Sequence, residues 1–330
     1  MLVVGPNGVG KTNLLEAVHL ATQGFSPRTR TDAQVVRFGA EGARAFASGR
    51  LGDVAMELEV TVRRGEGKRA RLNGASLRAA EQLRMTVATL VFTPDRLGVI
   101  KGPPASRRAY FDRVLGRLAP ARAALPAEYG AAVAQRNAAL RRAALGVAGR
   151  AAIEPWSERV TTLGADLVAA RLDALDLLGA PFGERAAELG LAGAALRYEG
   201  VPPTLGALAA ALERDLERGA TSLGPHLDDV VLVAGERELR SFGSQGEQRL
   251  ALLALLLAEA ETIADRTGVS PLLLLDDVLS ELDPERRRIL ANRVRSVGQA
   301  LVTATDAAML PAEPDQLLEV TPGGVLEAAA

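Results

Sequence analysis

The chain opens on Met1-Leu-Val-Val and runs at once into Gly5-Pro-Asn-Gly-Val-Gly-Lys-Thr12. This stretch constrains everything after it. A short apolar run, a loop with glycines at Gly5, Gly8 and Gly10, then Asn13-Leu-Leu-Glu-Ala-Val18 predict strand, phosphate-binding loop and helix. Glycines let the backbone N–H groups turn toward phosphate oxygens at a helix N-terminus, where the helix dipole also favours negative charge. Lys11 is placed to reach the β- and γ-phosphates, and the Thr12 hydroxyl to ligate Mg²⁺. Pro6, Asn7, Val9 and Asn13 complete the loop and its exit. The lysine is informative because the chain holds only three among 39 basic residues. Arginine is a wide fork, and a compact ammonium fits a phosphate cradle better.

At 330 residues the chain is long enough for two domains. Hydrophobic residues make up 48% but aromatics only 3%, so the core must be built of Leu, Val and Ala. The net charge of −1 excludes a globally basic nucleic-acid binder. The absence of cysteine excludes disulfides and thiolate metal sites and suits a reducing cytosol. No signal peptide is read at the N-terminus, and the apolar run Leu250–Ala258 is too short to span a bilayer, so the expected location is cytoplasmic, with no membrane partner.

Along the chain, Val54–Val62 alternates as a half-buried strand. It turns at Arg63–Lys68 and returns through Arg69–Gly74 as an antiparallel hairpin. Val87–Phe92 reads as another strand. Alanine-rich segments with helical spacing follow at about 104–118, 121–146, 155–178 and 182–189. Between 101 and 150, ten basic residues face two acids, Asp112 and Glu128. This is either a solvated arginine face or a local nucleic-acid or partner surface, with Arg107, Arg108 and Arg113 as candidate DNA contacts. A helix near 204–219 precedes strands at 229–233 and 237–240. A long helix to about Asp265, a strand at 271–277, an arginine-rich helix at 284–297 and a strand at 300–303 complete the reading.

Pro271-Leu-Leu-Leu-Leu-Asp-Asp277 is apolar on both faces, as a central parallel strand should be, and ends in two carboxylates. Asp276 fits a Mg²⁺-side carboxylate, and Asp277 a residue that holds or deprotonates an attacking water. Ser244-Gln-Gly-Glu-Gln248 sits at a helix start, where Ser244 and Gly246 suit an anion. On its own the same stretch is equally a capping box of Ser244 and Glu247. Ser280-Glu-Leu-Asp283 precedes Pro284, a helix start.

The order of these motifs resembles ABC-type ATPase heads. The full set resembles the RecF family, bacterial recombination-mediator ATPases of that class. The matching stretches are Gly5–Ala17, Phe92-Thr-Pro-Asp-Arg-Leu97, Lys101–Asp112, Gly224-Pro-His-Leu-Asp-Asp229, Ser244–Arg249 and Leu272–Asp283. Only 233 positions separate Lys11 from Ser244, too few for long coiled-coil arms. The resemblance implies an α/β fold: an ABC-type P-loop head over 1–98 and 200–330, with an antiparallel β lobe and an all-helical insert over 99–199. It implies ATP and Mg²⁺ as cofactors, with Lys11, Thr12, Asp276 and Asp277 at the nucleotide. Ser244, Gly246, Gln248 and the interface residue Asp283 would complete the site of a second copy. Thr305 stands where ABC heads usually carry a switch histidine. It implies an ATP-glued homodimer and a weak, DNA-stimulated ATPase acting as a switch. The implied partners are gapped or junction DNA and RecR, with RecO, in loading recombinase. A nucleotide-gated scaffold and the ATPase subunit of a transporter are the alternatives.

The chain departs from the pattern twice. Members of the family have a strand pair before the P-loop strand, which implies weaker ATP binding and poorer solubility for a chain starting at that strand. Leu227 stands where arginine is often found. His226 reads as a structural loop residue.

Overall fold

The computed structural model describes residues 1–29, 31–322 and 324–328. In chain order these form β1 (Leu2–Val4), α1 (Lys11–Gln23), β2 (Gly42–Leu51), β3 (Val54–Arg63), β4 (Arg69–Leu72), β5 (Ala75–Ser76) and β6 (Thr89–Phe92). There follow α2 (Gly98–Lys101), α3 (Pro104–Leu118), α4 (Leu125–Ala144), α5 (Glu154–Glu188), β7 (Ala194–Glu199), α6 (Leu205–Ala210) and α7 (Leu212–Arg218). The last part holds β8 (Asp229–Ala234), β9 (Arg237–Glu238), α8 (Leu239–Phe242), α9 (Gln245–Thr267), β10 (Leu272–Leu275), α10 (Pro284–Val297), β11 (Ala300–Ala304), β12 (Leu317–Thr321) and β13 (Gly324–Ala328).

The chain divides into two compact units, Met1–Arg96 with Ile263–Ala330, and Leu97–Thr262. Residues 200–262, with Ser244–Gln248, fall in the second unit with the helices of 99–199.

The first unit is built on a sheet of order β13-β12-β1-β11-β10-β6, in which β12, β1, β11, β10 and β6 run parallel and β13 returns antiparallel. Parallel neighbours present their carboxyl ends on one edge, where open α/β sheets bind ligands. Gly5 follows β1, Asp276 and Asp277 follow β10, and Thr305 follows β11, so topology alone brings distant motifs to one edge. Leu15 of α1 packs with Val91, Leu274 and Leu301 against this sheet. The antiparallel lobe, of order β2-β3-β4-β5, buries Ala45, Leu58, Val60, Val62 and Ala70 against Leu20 and Ala21 of α1.

In the second unit α3, α4 and α5 pack through Leu115, Tyr129, Val133, Val160, Leu163 and Leu167. The antiparallel sheet β7-β8-β9 lies in the same unit. Three expectations change. The helices read at 155–178 and 182–189 are one helix, α5, which carries Pro181 inside it. The helix read at 204–219 is two, α6 and α7, meeting at Ala211. The strand read at 237–240 spans only Arg237–Glu238 before α8 begins. Strands β2, β5, β7, β12 and β13 were not legible in the sequence pattern.

Candidate functional site: a phosphate cradle and a carboxylate pair

Gly10 lies at φ 117° and starts α1 from a left-handed backbone that favours glycine. Gly5 lies at φ 151°, and a Cβ there would sit 2.6 Å from the Val320 carbonyl oxygen. The loop therefore runs too close to β12 for any side chain. Lys11 is buried, and its Nζ donates to the carbonyls of Gly5 (2.7 Å) and Pro6 (2.9 Å). The ammonium is thus folded over the loop whose N–H groups open α1.

Thr12 Oγ1 donates to both carboxylate oxygens of Asp276, at 3.1 and 3.0 Å. Their partnership across 264 positions joins the loop after β1 to the end of β10. Thr303, wholly buried in β11, donates its hydroxyl to Asp276 Oδ1 (2.8 Å) and accepts the Asp277 N–H (2.8 Å). One hydroxyl therefore orients both aspartates. Sequence reading missed Thr303; the signal was a lone hydroxyl inside an otherwise apolar strand. Asp277 itself adopts φ 49°, ψ 29°, a left-handed conformation that Asp tolerates better than most residues. Its Oδ1 is buried without a hydrogen-bond partner among the described residues. A left-handed backbone and a buried carboxylate oxygen left without a protein partner together point to a functional rather than a packing role.

A hydroxyl and a carboxylate already in contact suit a hard divalent cation, which prefers oxygen ligands. The cradle of N–H groups, the buried ammonium and the paired aspartates can hold a polyphosphate and orient a water against it. Thr305 lies exposed just past β11, with its hydroxyl 3.3 Å from the Met309 sulfur. Asn13 accepts from Arg28 at 3.4 Å. Asp283 caps α10 by accepting from the Arg286 N–H at 2.9 Å. That backbone hydrogen bond holds its carboxyl below the usual range.

In the second unit Ser244 and Glu247 form the capping box: Glu247 accepts the Ser244 N–H at 2.7 Å and gives its own N–H to Ser244 Oγ at 3.2 Å. The hydrogen bonds from Ser244 hold the Glu247 carboxyl below its usual range. Gln248 is buried and donates to the Leu239 carbonyl at 2.8 Å, fixing the first turn of α9 to α8. Gly246 lies within that turn. The cap and an anion site are compatible, because the box uses only part of the free N–H groups at the helix start.

Glu259, 1% exposed on α9, accepts from Tyr110 Oη at 2.8 Å and Arg117 Nε at 2.6 Å, both on α3. Its pairing ties α3 to the helix that begins at Ser244, a link sequence reading did not make.

Of the candidate DNA contacts, Arg107 needs correction. Arg107 is 1% exposed and bound through Nε and Nη2 to Asp229 (2.7 and 2.5 Å), with Nη1 on the Gly102 carbonyl at 2.8 Å. It is a packing group inside the second unit, not a surface contact. Burial pushes the Asp229 carboxyl up, but Arg107 outweighs it and holds the group below its usual range. Arg108 is partly covered and donates to the Asp228 carbonyl at 2.6 Å. Arg113 is exposed on α3.

The Gly224–Asp229 loop is pinned from inside. His226 Nε2 lies 3.0 Å from the Thr221 carbonyl and must donate there, so Nδ1 accepts from Tyr129 Oη at 2.8 Å. Tyr198 Oη donates to Asp228 at 2.6 Å. His226 is structural, and burial pushes its imidazole below its usual value. With the folded value depressed, the unfolded chain takes up the proton first as pH falls. Stability should therefore decline from about pH 6.5 downward and level off below the folded value. Thermal unfolding from pH 7.5 to 5 should show that decline, and a His226→Gln chain should show less of it.

Parallel strand order, P-loop, carboxylate pair and inserted helical unit define the class: an ABC-type P-loop ATPase head. The family model described as RecF/RecN/SMC N terminal domain matches residues 1–325. The chain belongs to the RecF family. It is 35% identical to the DNA replication and repair protein RecF of Pseudarthrobacter chlorophenolicus, covering 99% of this chain and 93% of that one. Against the RecF of Heliobacterium modesticaldum it is 36% identical, over 92% and 86% of the two chains. Among solved structures, that of the recombination mediator protein RecF-ATP in the RecFOR pathway superposes with a TM-score of 0.88 at 26% identity, covering 99% of this chain and 91% of that chain. An Smc head domain derived from Pyrococcus furiosus shares the fold at a TM-score of 0.58 and 16% identity, over 99% and 89% of the two chains. Among the described residues, no helix is long and apolar enough to cross a membrane.

Proposed function

We propose that this chain is an ATP-dependent DNA-binding protein of recombinational repair that works as an ATP-glued homodimer. The observation that carries the reading is the Thr12–Asp276–Thr303–Asp277 chain of hydrogen bonds beside a glycine cradle holding Lys11. The likeness to a RecF-ATP structure supports the nucleotide. Lys11 and the loop N–H groups would hold the phosphates; Thr12 and Asp276 would hold Mg²⁺. When bound, the cation supplies charge neutralisation at the β- and γ-phosphates. Asp277 holds the attacking water and accepts its proton. Ser244, Gly246 and Gln248 of one copy close the site on the P-loop of the other, with Asp283 at that seam. Hydrolysis is slow, and DNA stimulates it. Gapped or junction DNA, RecR and RecO are the partners, and the ATP-bound dimer marks where recombinase is to be loaded.

Sedimentation tests the central part. ATP with Mg²⁺ should convert the 34.5 kDa chain to a species of twice that mass. A mass that stays monomeric at saturating ATP contradicts the reading.

A further inference from the structure

We propose that the solvent face of β2, β3 and β4 is where this chain grips the sugar-phosphate backbone of duplex DNA. The placement rests on the DNA-binding reading above. Strand alternation sends Ala45, Leu58, Val60, Val62 and Ala70 inward and leaves the opposite set outward. Register then fixes the outward rows: Arg44 stands opposite Thr61, and Thr61 opposite Arg69; Phe46 stands opposite Glu59, and Glu59 opposite Arg71; Gly42 stands opposite Arg63. Four guanidiniums thus share one face. Strands about 4.8 Å apart make the patch about 10 Å wide, and alternate residues sit about 7 Å apart along it.

The side chains reach solvent. Those of Arg44, Arg63 and Arg69 are 64%, 62% and 75% exposed. The central carboxylate, Glu59, is only 19% exposed and is tied to Arg44 at 2.7 Å, so it opposes an approaching anion weakly. Glu66 pairs with Arg69 at 3.2 Å and with Arg63 at 3.8 Å at the rim. Exposed pairs of this kind contribute little to stability, so exchanging them for phosphate costs little. An open hollow of about 530 Å³, lined by Arg44, Thr61, Arg63 and Arg71 and by the Arg44-paired Glu59, leaves room for a phosphate with the Thr61 hydroxyl beside it. Arginine forks and hydroxyls are the groups that contact DNA backbones.

The face also selects the nucleic acid. Phe46 is its one aromatic, 51% exposed, with the Arg44 guanidinium 5.6 Å over its ring. Single strands are bound on rows of stacking aromatics, which this face lacks. The competing location, the arginine-dense 101–150 segment, loses Arg107 and Arg136 to burial and pairs Arg117, Arg122 and Arg150 with Glu259, Asp173 and Glu213.

The test measures anisotropy of a labelled duplex with the full chain in ATP and Mg²⁺, at several salt concentrations. Replacing Arg44, Arg63, Arg69 and Arg71 by Gln should lower affinity at least about tenfold. It should also reduce the slope of log affinity against log salt by roughly 3.6, since each of the four duplex phosphate contacts contributes about 0.9. The pairs Arg44→Gln/Arg71→Gln and Arg63→Gln/Arg69→Gln should each remove about half of that slope. The melting temperature and ATP-dependent mass should hold, because none of the four faces the core. Arg141→Gln/Arg142→Gln, on exposed residues of α4, should change the slope little. The placement is overturned if the sheet variants keep wild-type affinity and slope while wild type binds, or if the loss follows Arg141 and Arg142. Absence of salt-dependent binding by wild type overturns the DNA-binding reading itself.

Discussion

Replacing Lys11 with methionine should lower ATP affinity by about 10²- to 10⁴-fold while leaving the fold intact. The Lys11 ammonium is held 2.7 and 2.9 Å from the Gly5 and Pro6 carbonyls, over the loop that opens α1. Two charge-assisted hydrogen bonds to phosphate contribute about 1.5–3 kcal/mol each, which sets that range. Both of its protein bonds are to carbonyls within six residues, so no distant packing depends on them. Titration with a fluorescent ATP analogue checks the affinity, and circular dichroism checks the fold. An affinity within threefold of wild type would remove Lys11 from the nucleotide site.

The largest stability effect should come from a buried ion pair of the second unit that takes no part in the proposed chemistry. Arg136 and Asp215 are both fully buried and joined at 2.7 Å. Arg136 also donates to Thr221 at 2.9 Å and to Ser157 at 3.0 Å, while Asp215 accepts from the Ser222 hydroxyl at 2.5 Å. Arg136→Leu would strand a carboxylate without its counter-ion. Breaking one side of such a pair costs about 3–5 kcal/mol. In a unit of this size that lowers the melting temperature by roughly 6–20 °C. Calorimetry of the single variant and of Arg136→Leu/Asp215→Leu separates charge from packing. The double variant should recover part of the loss, because it removes the buried charge as well.

The same pair shows why parts of the fold were hidden in the sequence. Arg136 and Arg107 read as surface charge because nothing local reveals their partners. Asp215 and Asp229 lie 79 and 122 positions away. The cradle was legible for the opposite reason: Gly5, Gly8, Gly10, Lys11 and Thr12 are contiguous, and backbone geometry demands them at fixed offsets. Strand β10 was legible because a parallel strand covered on both faces must be uniformly apolar. Helix α10 was legible because Pro284 announces its start. Strand β2 was not. Its inward residues, Ala43, Ala45 and Ala47, are too small to give a strand signal beside Gly42 and Gly49. Overlooking it hid one row of the arginine face. Thr303 was passed over because a single threonine suits a strand whether or not its hydroxyl has work to do. Pro181 suggested a break between two helices, and α5 runs through it.

The central claim is that the P-loop of one copy and the Ser244 segment of another make one site. Mixing two defective chains tests it most directly. On the proposed reading, Lys11→Met would lack a competent cradle, and Ser244→Arg would block the helix start that closes on the partner's nucleotide. With ATP, Mg²⁺ and gapped DNA, each alone should release phosphate slowly or not at all. In the mixed dimer, the wild-type P-loop of the Ser244→Arg chain meets the wild-type Ser244 of the Lys11→Met chain. Phosphate release should then rise well above the sum of the separate chains, toward half the wild-type rate per dimer. A mixture no more active than its components would contradict assembly of the site between copies.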